Sequence, residues 1–237
     1  MSFTTWTPAA VSSESRAFQA QAWRMVEAQH VASTMKLVDS ADEQNVLEAL
    51  LEASKPALAR DTRQLHYLLA TPFRYDPPPG GSRFRAPTDP GVFYGAESVR
   101  TAGAELGYWR WRFLRDAVDL DRLAPVAHTA FSADITTTVI DLRQPPFVAD
   151  EDAWRHPADY AAPQAFARVA REAGVGGILY RSVRDPQPGW CLALLEPTGF
   201  TKPDPNPDMQ TWFLTVSRQE VTWRRERESM RFVTADW

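Results

Sequence analysis

Apolar residues recur at helical spacing in the first quarter of the chain. The recurring positions are Phe18, Ala22, Met25, Val26 and Ala32, and a second stripe contains Val46, Leu47, Leu50 and Leu51. Residues 40–43 have the pattern of a capping box before the second stripe, and Pro56 is expected to end that helix. The pattern therefore predicts that residues 14–54 are largely helical, either as a lead-in packed on the main domain or as a partner-docking surface.

Shorter elements follow, separated by turn residues. Residues 64–71 are predicted to form a strand or a short helix that Pro72 cuts off, and the proline–glycine run at residues 77–81 predicts a loop. Residues 91–96 have the composition of a short strand. Ser98 can then cap a helix over residues 99–116, whose apolar and aromatic residues suit a packed helix.

The second half of the chain alternates strand patterns with one helix. Short runs rich in β-branched and apolar residues predict strands at residues 126–131, 136–142, 177–180 and 191–195, with a terminal hairpin from 211–216 and 221–224. A helix is expected over residues 163–173, closed by Gly174. The sequence thus predicts an α+β fold of short strands with flanking helices, with a helical N-terminal region at residues 1–60 and the main domain at residues 61–237.

Composition and charge narrow the class of protein. The chain has 237 residues, of which 44% are hydrophobic, so it can bury a substantial core. A net charge of −4 argues against a general nucleic-acid binder, which needs a concentrated positive surface. No apolar stretch is long enough to span a membrane, and the first residues lack the pattern of a secretory signal. We therefore expect a soluble, cytoplasmic protein without direct nucleic-acid binding.

Common catalytic and metal-binding motifs are absent from the sequence. The single cysteine, Cys191, lies in an apolar run and is expected to be a small core residue rather than a nucleophile. None of the four histidines has metal-ligand spacing, so no metal is expected. Gly103 and Gly107 lie inside a predicted helix, whereas a dinucleotide-binding fingerprint needs its glycines in the turn before the helix.

Three polar residues occur in successive predicted elements. Tyr94 follows Arg83 by eleven residues, and Glu105 follows Tyr94 by another eleven. Glu105 is surrounded by small and apolar residues, which favours a carboxylate in a pocket over one on a solvated helix face. A carboxylate can stabilise positive charge that develops on a ribose, an arginine can bind a pyrophosphate, and a tyrosine can stack on a base.

These residues lie in the first two of three segments that together resemble the RES-domain family, which is named for its Arg, Glu and Ser. The segments are Gly80-Gly81-Ser82-Arg83-Phe84 leading to Gly91-Val92-Phe93-Tyr94, then Thr101-Ala102-Gly103-Ala104-Glu105, and finally Gly176 to Arg184 followed by Cys191 to Leu194. The resemblance spans roughly residues 65 to 200. One departure is Phe84, which stands where the family often has Trp.

The resemblance implies an ADP-ribosyltransferase-like core and an enzyme that consumes NAD as its substrate. Members are toxins of toxin–antitoxin pairs that hydrolyse or phosphorolyse NAD, and some transfer ADP-ribose to a protein. Carried onto this chain, it places Arg83 at the pyrophosphate or ribose, Tyr94 at the nicotinamide, Glu105 at the ribose, and Ser182 where it orients the substrate. The expected partner is a helix-turn-helix (Xre-type) antitoxin whose C-terminal part fills the NAD pocket.

Several alternatives stay open at this point. Arg85 and Arg74 are further candidates for the pocket arginine. The enzyme is expected to be an NAD glycohydrolase or phosphorylase, but it could instead be a mono-ADP-ribosyltransferase that acts on a protein. The same fold could also serve as a non-catalytic binding module.

Overall fold

The computed structural model describes residues 5–28 and 40–237, so Ala32 of the predicted helical stripe and His30, one of the four histidines, lie outside the described residues. The described chain folds into one large mixed sheet with helices against it. The helices are α1 (Pro8–Ser13), α2 (Ala41–Ala53), α3 (Tyr67–Arg74), α4 (Val99–Asp116), α5 (Glu151–Trp154) and α6 (Ala161–Glu172). No helix in these residues is both long and apolar enough to cross a membrane.

Eight strands form the sheet in the order β1-β2-β5-β4-β3-β6-β7-β8. They are β1 (Arg16–Glu27), β2 (Phe93–Ala96), β3 (Arg122–Asp141), β4 (Gly177–Arg181), β5 (Trp190–Leu194), β6 (Gln210–Ser217), β7 (Glu220–Arg225) and β8 (Glu228–Val233). Strands β3 and β4 are parallel, and the other pairs are antiparallel. Because β1 pairs with both β2 and β3, strands β1, β2, β5, β4 and β3 close into a ring.

The helical prediction for residues 14–54 is wrong for Arg16–Glu27, which form strand β1. The strand pairs along its whole length with β3, from Arg16 opposite Val139 to Glu27 opposite His128. Ala22 packs into one apolar cluster and Met25 into another, so both faces of the second half of the strand are covered, whereas alternate residues of its first half are exposed. Where both faces are covered, apolar residues follow one another without polar–apolar alternation, and together with Phe18 they imitate helical spacing.

Other local predictions are confirmed or adjusted. Ser40 caps α2 by accepting a hydrogen bond from the Glu43 backbone N–H at 3.2 Å, and that helix ends before Pro56. Pro72 does not end the element before it but lies inside α3. The two strands predicted between residues 126 and 142 are parts of the single long strand β3. The predicted terminal hairpin is present as β6 and β7, and β8 extends it.

Helix α4 begins where the sequence places it, because the Ser98 side chain accepts from the Thr101 backbone N–H. Gly103 and Gly107 lie on the face of this helix that meets β7. The Trp223 indole donates to the Gly103 carbonyl at 3.1 Å. A Cβ atom on Gly107 would be 2.8 Å from Val221 Cγ1, so this glycine allows the close approach of helix and strand.

We expect the substitution Gly107→Val to lower the free energy of unfolding by about 1–3 kcal/mol, since the added side chain overpacks the contact with Val221. Urea unfolding followed by circular dichroism measures the change. Phe113→Val, on the exposed side of the same helix, is the matched control and should shift stability by less than about 0.5 kcal/mol. Equal effects of the two substitutions would contradict the packing argument.

Candidate active site

A cavity of about 320 Å³ opens between α4, the ring of strands and the loop after the proline–glycine run. Its described lining residues are Trp23, Arg24, Met25, Pro78, Gly81, Ser82, Arg83, Tyr94, Gly95, Ala96, Ala102, Glu105, Leu106, Trp109, Tyr160, Tyr180, Arg184 and Cys191. Three guanidinium groups and one carboxylate are among them. The lining therefore combines aromatic rings with an excess of positive charge, which suits an anionic ligand that carries rings.

The Glu105 carboxylate faces this cavity, as the small-residue setting of the helix predicts. One oxygen, Oε1, accepts from the Ser182 hydroxyl at 2.6 Å and from the Val183 backbone N–H at 3.2 Å. The Cys191 thiol is a third, weaker donor at 3.9 Å. Within residues 5–28 and 40–237, no protein group donates to the other oxygen, Oε2. The protein thus fixes the carboxylate through one oxygen and leaves the second for a ligand.

Ser182 lies directly after β4 and is only 1% exposed. Its hydroxyl donates to Glu105 and accepts from the backbone N–H groups of Arg184 and Asp185, at 3.3 and 3.1 Å. The Asp185 carboxylate in turn bonds Arg100 and the Thr101 hydroxyl on α4. These contacts tie the turn after β4 to the helix that carries Glu105. The structure therefore brings Ser182 against Glu105 instead of onto the cavity wall.

Tyr94 on β2 places its ring in the cavity wall, but its hydroxyl bonds the protein. The hydroxyl accepts from the Phe84 backbone N–H at 2.9 Å and lies 2.8 Å from Ser82 Oγ. Burial raises the pKa of Tyr94, so the phenol stays neutral at physiological pH. Gly81 completes this turn with a φ of +76°, where a Cβ would lie 2.1 Å from the Arg85 carbonyl oxygen. Tyr94 therefore holds the turn that carries Arg83.

Arg83 is the arginine of this turn that lines the cavity. Its Nη1 donates to the carbonyls of Trp154 and His156, at 2.8 and 2.9 Å, and its guanidinium lies 4.8 Å from the centre of the Tyr160 ring. In the described part of the chain, Nη2 and Nε have no protein acceptor. Arg85, by contrast, bonds the carbonyls of Asp89 and Tyr75, and it does not line the cavity.

Arg74, the third candidate for the pocket arginine, also points elsewhere, because its Nε donates to the Pro56 carbonyl. Of the three candidates, the structure places only Arg83 at the cavity.

Comparison with known protein families bears on this arrangement. The family model described as "RES domain" matches residues 55–217, which include Arg83, Tyr94, Glu105 and Ser182. The chain belongs to the RES-domain family. A search of curated proteins finds no match. Among solved structures, the M. tuberculosis MbcT–MbcA toxin–antitoxin complex aligns over 93% of this chain and 88% of that chain, at 14% identity and a TM-score of 0.46.

Two further arginines of this RES protein line the cavity and were not predicted. Arg24 comes from β1, outside residues 55–217, and its Nη1 donates to the Tyr94 carbonyl at 2.8 Å. Its Nε is buried without a partner among the described residues. Burial lowers the pKa of Arg24 to about 10, so the side chain is still a cation at neutral pH. An arginine inside an apolar segment was the only signal in the sequence, and the helical assignment of that segment concealed it.

Arg184 is the second unpredicted arginine. It lies two residues after Ser182, is 3% exposed, and packs its guanidinium 3.4 Å from the centre of the Tyr108 ring. It donates to the Pro157 carbonyl. The spacing Ser182-x-Arg184 in the third matching segment was the available signal.

Cys191 is buried, as expected, yet its thiol also reaches the cavity. Burial raises its pKa well above the usual value, and the nearby Glu105 charge acts in the same direction. The thiol therefore stays protonated and is a poor nucleophile. In residues 5–28 and 40–237, no three His, Cys, Asp or Glu side chains group as metal ligands.

Removing the Tyr94 hydroxyl should weaken the Arg83 turn. We expect Tyr94→Phe to lower the free energy of unfolding by about 1–3 kcal/mol, because the Phe84 N–H loses its acceptor. If the protein cleaves NAD, KM should rise more than kcat falls, since Arg83 is less firmly placed. Urea unfolding and steady-state kinetics measure both effects. A large loss of kcat with unchanged stability would show instead that the hydroxyl acts on the substrate directly.

Proposed function

We propose that this RES-domain protein cleaves the nicotinamide–ribose bond of NAD, with water or phosphate as the acceptor. The observation that carries the proposal is the Glu105 carboxylate, which is anchored through Oε1 and presents Oε2 to a cavity lined by three arginines. Membership of the RES family supports the same activity. The proposal includes the ADP-ribosyltransferase-like core that the resemblance implies.

The charges of the cavity match the charges of the substrate. NAD carries a pyrophosphate anion, which the guanidinium groups of Arg83, Arg24 and Arg184 can bind through directed hydrogen bonds. Nη2 and Nε of Arg83 are donors without protein acceptors in the described part of the chain. An anionic ligand would supply the missing acceptors. The aromatic rings of Tyr94, Tyr160 and Tyr180 provide apolar walls for the nicotinamide and ribose.

The carboxylate acts on the charge that develops during cleavage. When the bond between C1′ and the nicotinamide nitrogen breaks, its electron pair leaves with nicotinamide, which becomes neutral, and the ribose acquires oxocarbenium character. Glu105 Oε2 can accept a hydrogen bond from the ribose 2′-hydroxyl and stabilise this positive charge. Attack of water at C1′, with loss of a proton to solvent, gives ADP-ribose, and attack of phosphate at the same carbon gives ADP-ribose phosphorylated at that carbon.

Ser182 takes part in this scheme as a positioning residue. Its hydroxyl donates to Glu105 Oε1 and accepts from two backbone N–H groups, so it sets the orientation of the carboxylate without a free donor for the substrate. Ser182 therefore orients Glu105, and it does not orient NAD directly as the resemblance implies.

The test is nicotinamide release from NAD by the purified protein, followed by chromatography, with and without phosphate. Release of nicotinamide with equal ADP-ribose supports hydrolysis, and a phosphate-dependent rate with a phosphorylated product identifies phosphorolysis. A parallel reaction with labelled NAD and cell extract detects transfer of ADP-ribose to a protein. Absence of nicotinamide release in all three reactions would refute the proposal and favour a non-catalytic binding module.

The same proposal assigns the chain to the toxins, with a helix-turn-helix antitoxin as its partner. The support is the family, since the C-terminal part of such an antitoxin is expected to fill the NAD pocket. Expression of the chain alone should then deplete cellular NAD and arrest growth, and co-expression with the antitoxin should prevent both. Unchanged NAD on expression of the chain alone would argue against a toxin.

A further inference from the structure

Trp109 lies at the outer end of the cavity wall that α4 supplies. Ala102, Glu105 and Trp109 follow one another along the same face of the helix, each about one turn further toward its C-terminal end. Ala102 is 7% exposed, whereas Trp109 is 44% exposed. Pro78, which also lines the cavity, is exposed as well. The wall thus runs from a buried end to a solvent-exposed mouth, and the indole lies at the mouth.

The indole is held in place by its neighbours on the same helix. The Tyr108 ring meets it edge-on, with ring centres 5.4 Å apart, and the Arg112 guanidinium lies 5.7 Å from the indole centre. A large aromatic side chain that is both supported and exposed is a suitable stacking surface for a base. Phe113, one turn beyond Trp109, is more exposed at 59% and does not line the cavity.

The size of the cavity indicates which part of the substrate reaches this tryptophan. A volume of about 320 Å³ lies at the low end of the range of roughly 300–1,000 Å³ in which proteins bind small ligands. NAD contains two nucleosides joined by a pyrophosphate. If the nicotinamide ribose lies at Glu105 inside the cavity, the adenosine half extends out of it, and Leu106 and Trp109 line the wall on the exposed side of Glu105.

We infer that the Trp109 indole is the stacking surface for the adenine ring of the dinucleotide, so that it selects for substrates with an aromatic base at the far end. This inference rests on the proposed function, because NAD is the substrate that it assumes.

The test measures binding of ADP-ribose and of ribose 5-phosphate by calorimetry, which does not depend on turnover. Trp109→Ala should weaken ADP-ribose binding by roughly 5- to 150-fold, the range expected for loss of one base–aromatic stack. Binding of ribose 5-phosphate, which has no base, should change less than about 2-fold. Trp109→Phe should restore most of the ADP-ribose affinity, and Phe113→Ala is the control for loss of an exposed aromatic residue from the same helix.

Kinetics with NAD provide a second readout. Trp109→Ala should raise KM by a factor similar to the loss of ADP-ribose affinity, with kcat within about 2-fold of the starting protein. The inference is overturned if ADP-ribose binds the Ala variant as tightly as the starting protein, if ribose 5-phosphate binding falls equally, or if ADP-ribose does not bind at all. Nicotinamide release by the unsubstituted protein reports separately on the proposed function, so either idea can fail alone.

Discussion

Glu105→Gln should lower kcat for nicotinamide release by roughly 100- to 1,000-fold, with little change in KM. Glutamine keeps the size of the side chain, and its amide oxygen can still accept from Ser182 and from the Val183 N–H. The amide nitrogen would then occupy the position of Oε2. A neutral donor at that position cannot stabilise positive charge on the ribose, so the loss falls on the chemical step.

The measurement is single-turnover and steady-state release of nicotinamide. Glu97→Gln is the matched control, because Glu97 lies just before α4, bonds the Trp190 backbone N–H, and does not line the cavity. The control should keep kcat, and both variants should unfold close to the temperature of the unsubstituted protein. Full turnover by Glu105→Gln would show that this carboxylate is not catalytic.

Arg83→Ala has the second largest expected effect and should raise KM for NAD by roughly 10- to 100-fold, the range for loss of hydrogen bonds to a charged group. Two losses combine. The cavity loses a cation with unsatisfied donors, and the segment at Trp154 and His156 loses the guanidinium that binds both of its carbonyls. Tyr160, which packs against Arg83, also loses its support.

Steady-state kinetics and NAD-binding calorimetry separate these effects. Arg85→Ala removes an arginine of the same turn whose bonds point away from the cavity, so it should lower thermal stability and leave KM within about 3-fold. If Arg83→Ala instead lowers turnover with no change in apparent affinity, the assignment of Arg83 to substrate binding is wrong.

The central residues of the candidate site could be predicted from the sequence, but the remaining residues that line it could not. Arg83, Tyr94 and Glu105 come from consecutive elements whose spacing and resemblance are visible along the chain, and the structure brings them to one cavity. The function of Ser182 was not predictable in detail, because its contact with Glu105 joins residues 77 positions apart. Arg24 was missed because its contact with Tyr94 spans 70 positions and its strand was taken for a helix.

Local chemistry along the chain determined several elements. The Ser98 cap and the apolar face of α4 depend on residues within a few positions of one another, so they can be identified without tertiary information. The same holds for the cap at Ser40 and for the hairpin of β6 and β7. The small residues around Glu105 likewise indicated a pocket carboxylate.

Only the tertiary structure decided the state of residues 16–27 and the closure of the strand ring. Strand β1 exists because β3 lies beside it for twelve residues and apolar clusters cover both faces of its second half. Pairing of this kind overrides local spacing, since the partner strand is far away along the chain and its hydrogen bonds leave no mark on the spacing of the residues in β1. The same pairing brings Arg24 into the cavity. The number of positive charges in the site could therefore be known only from the tertiary structure, which brings distant segments together.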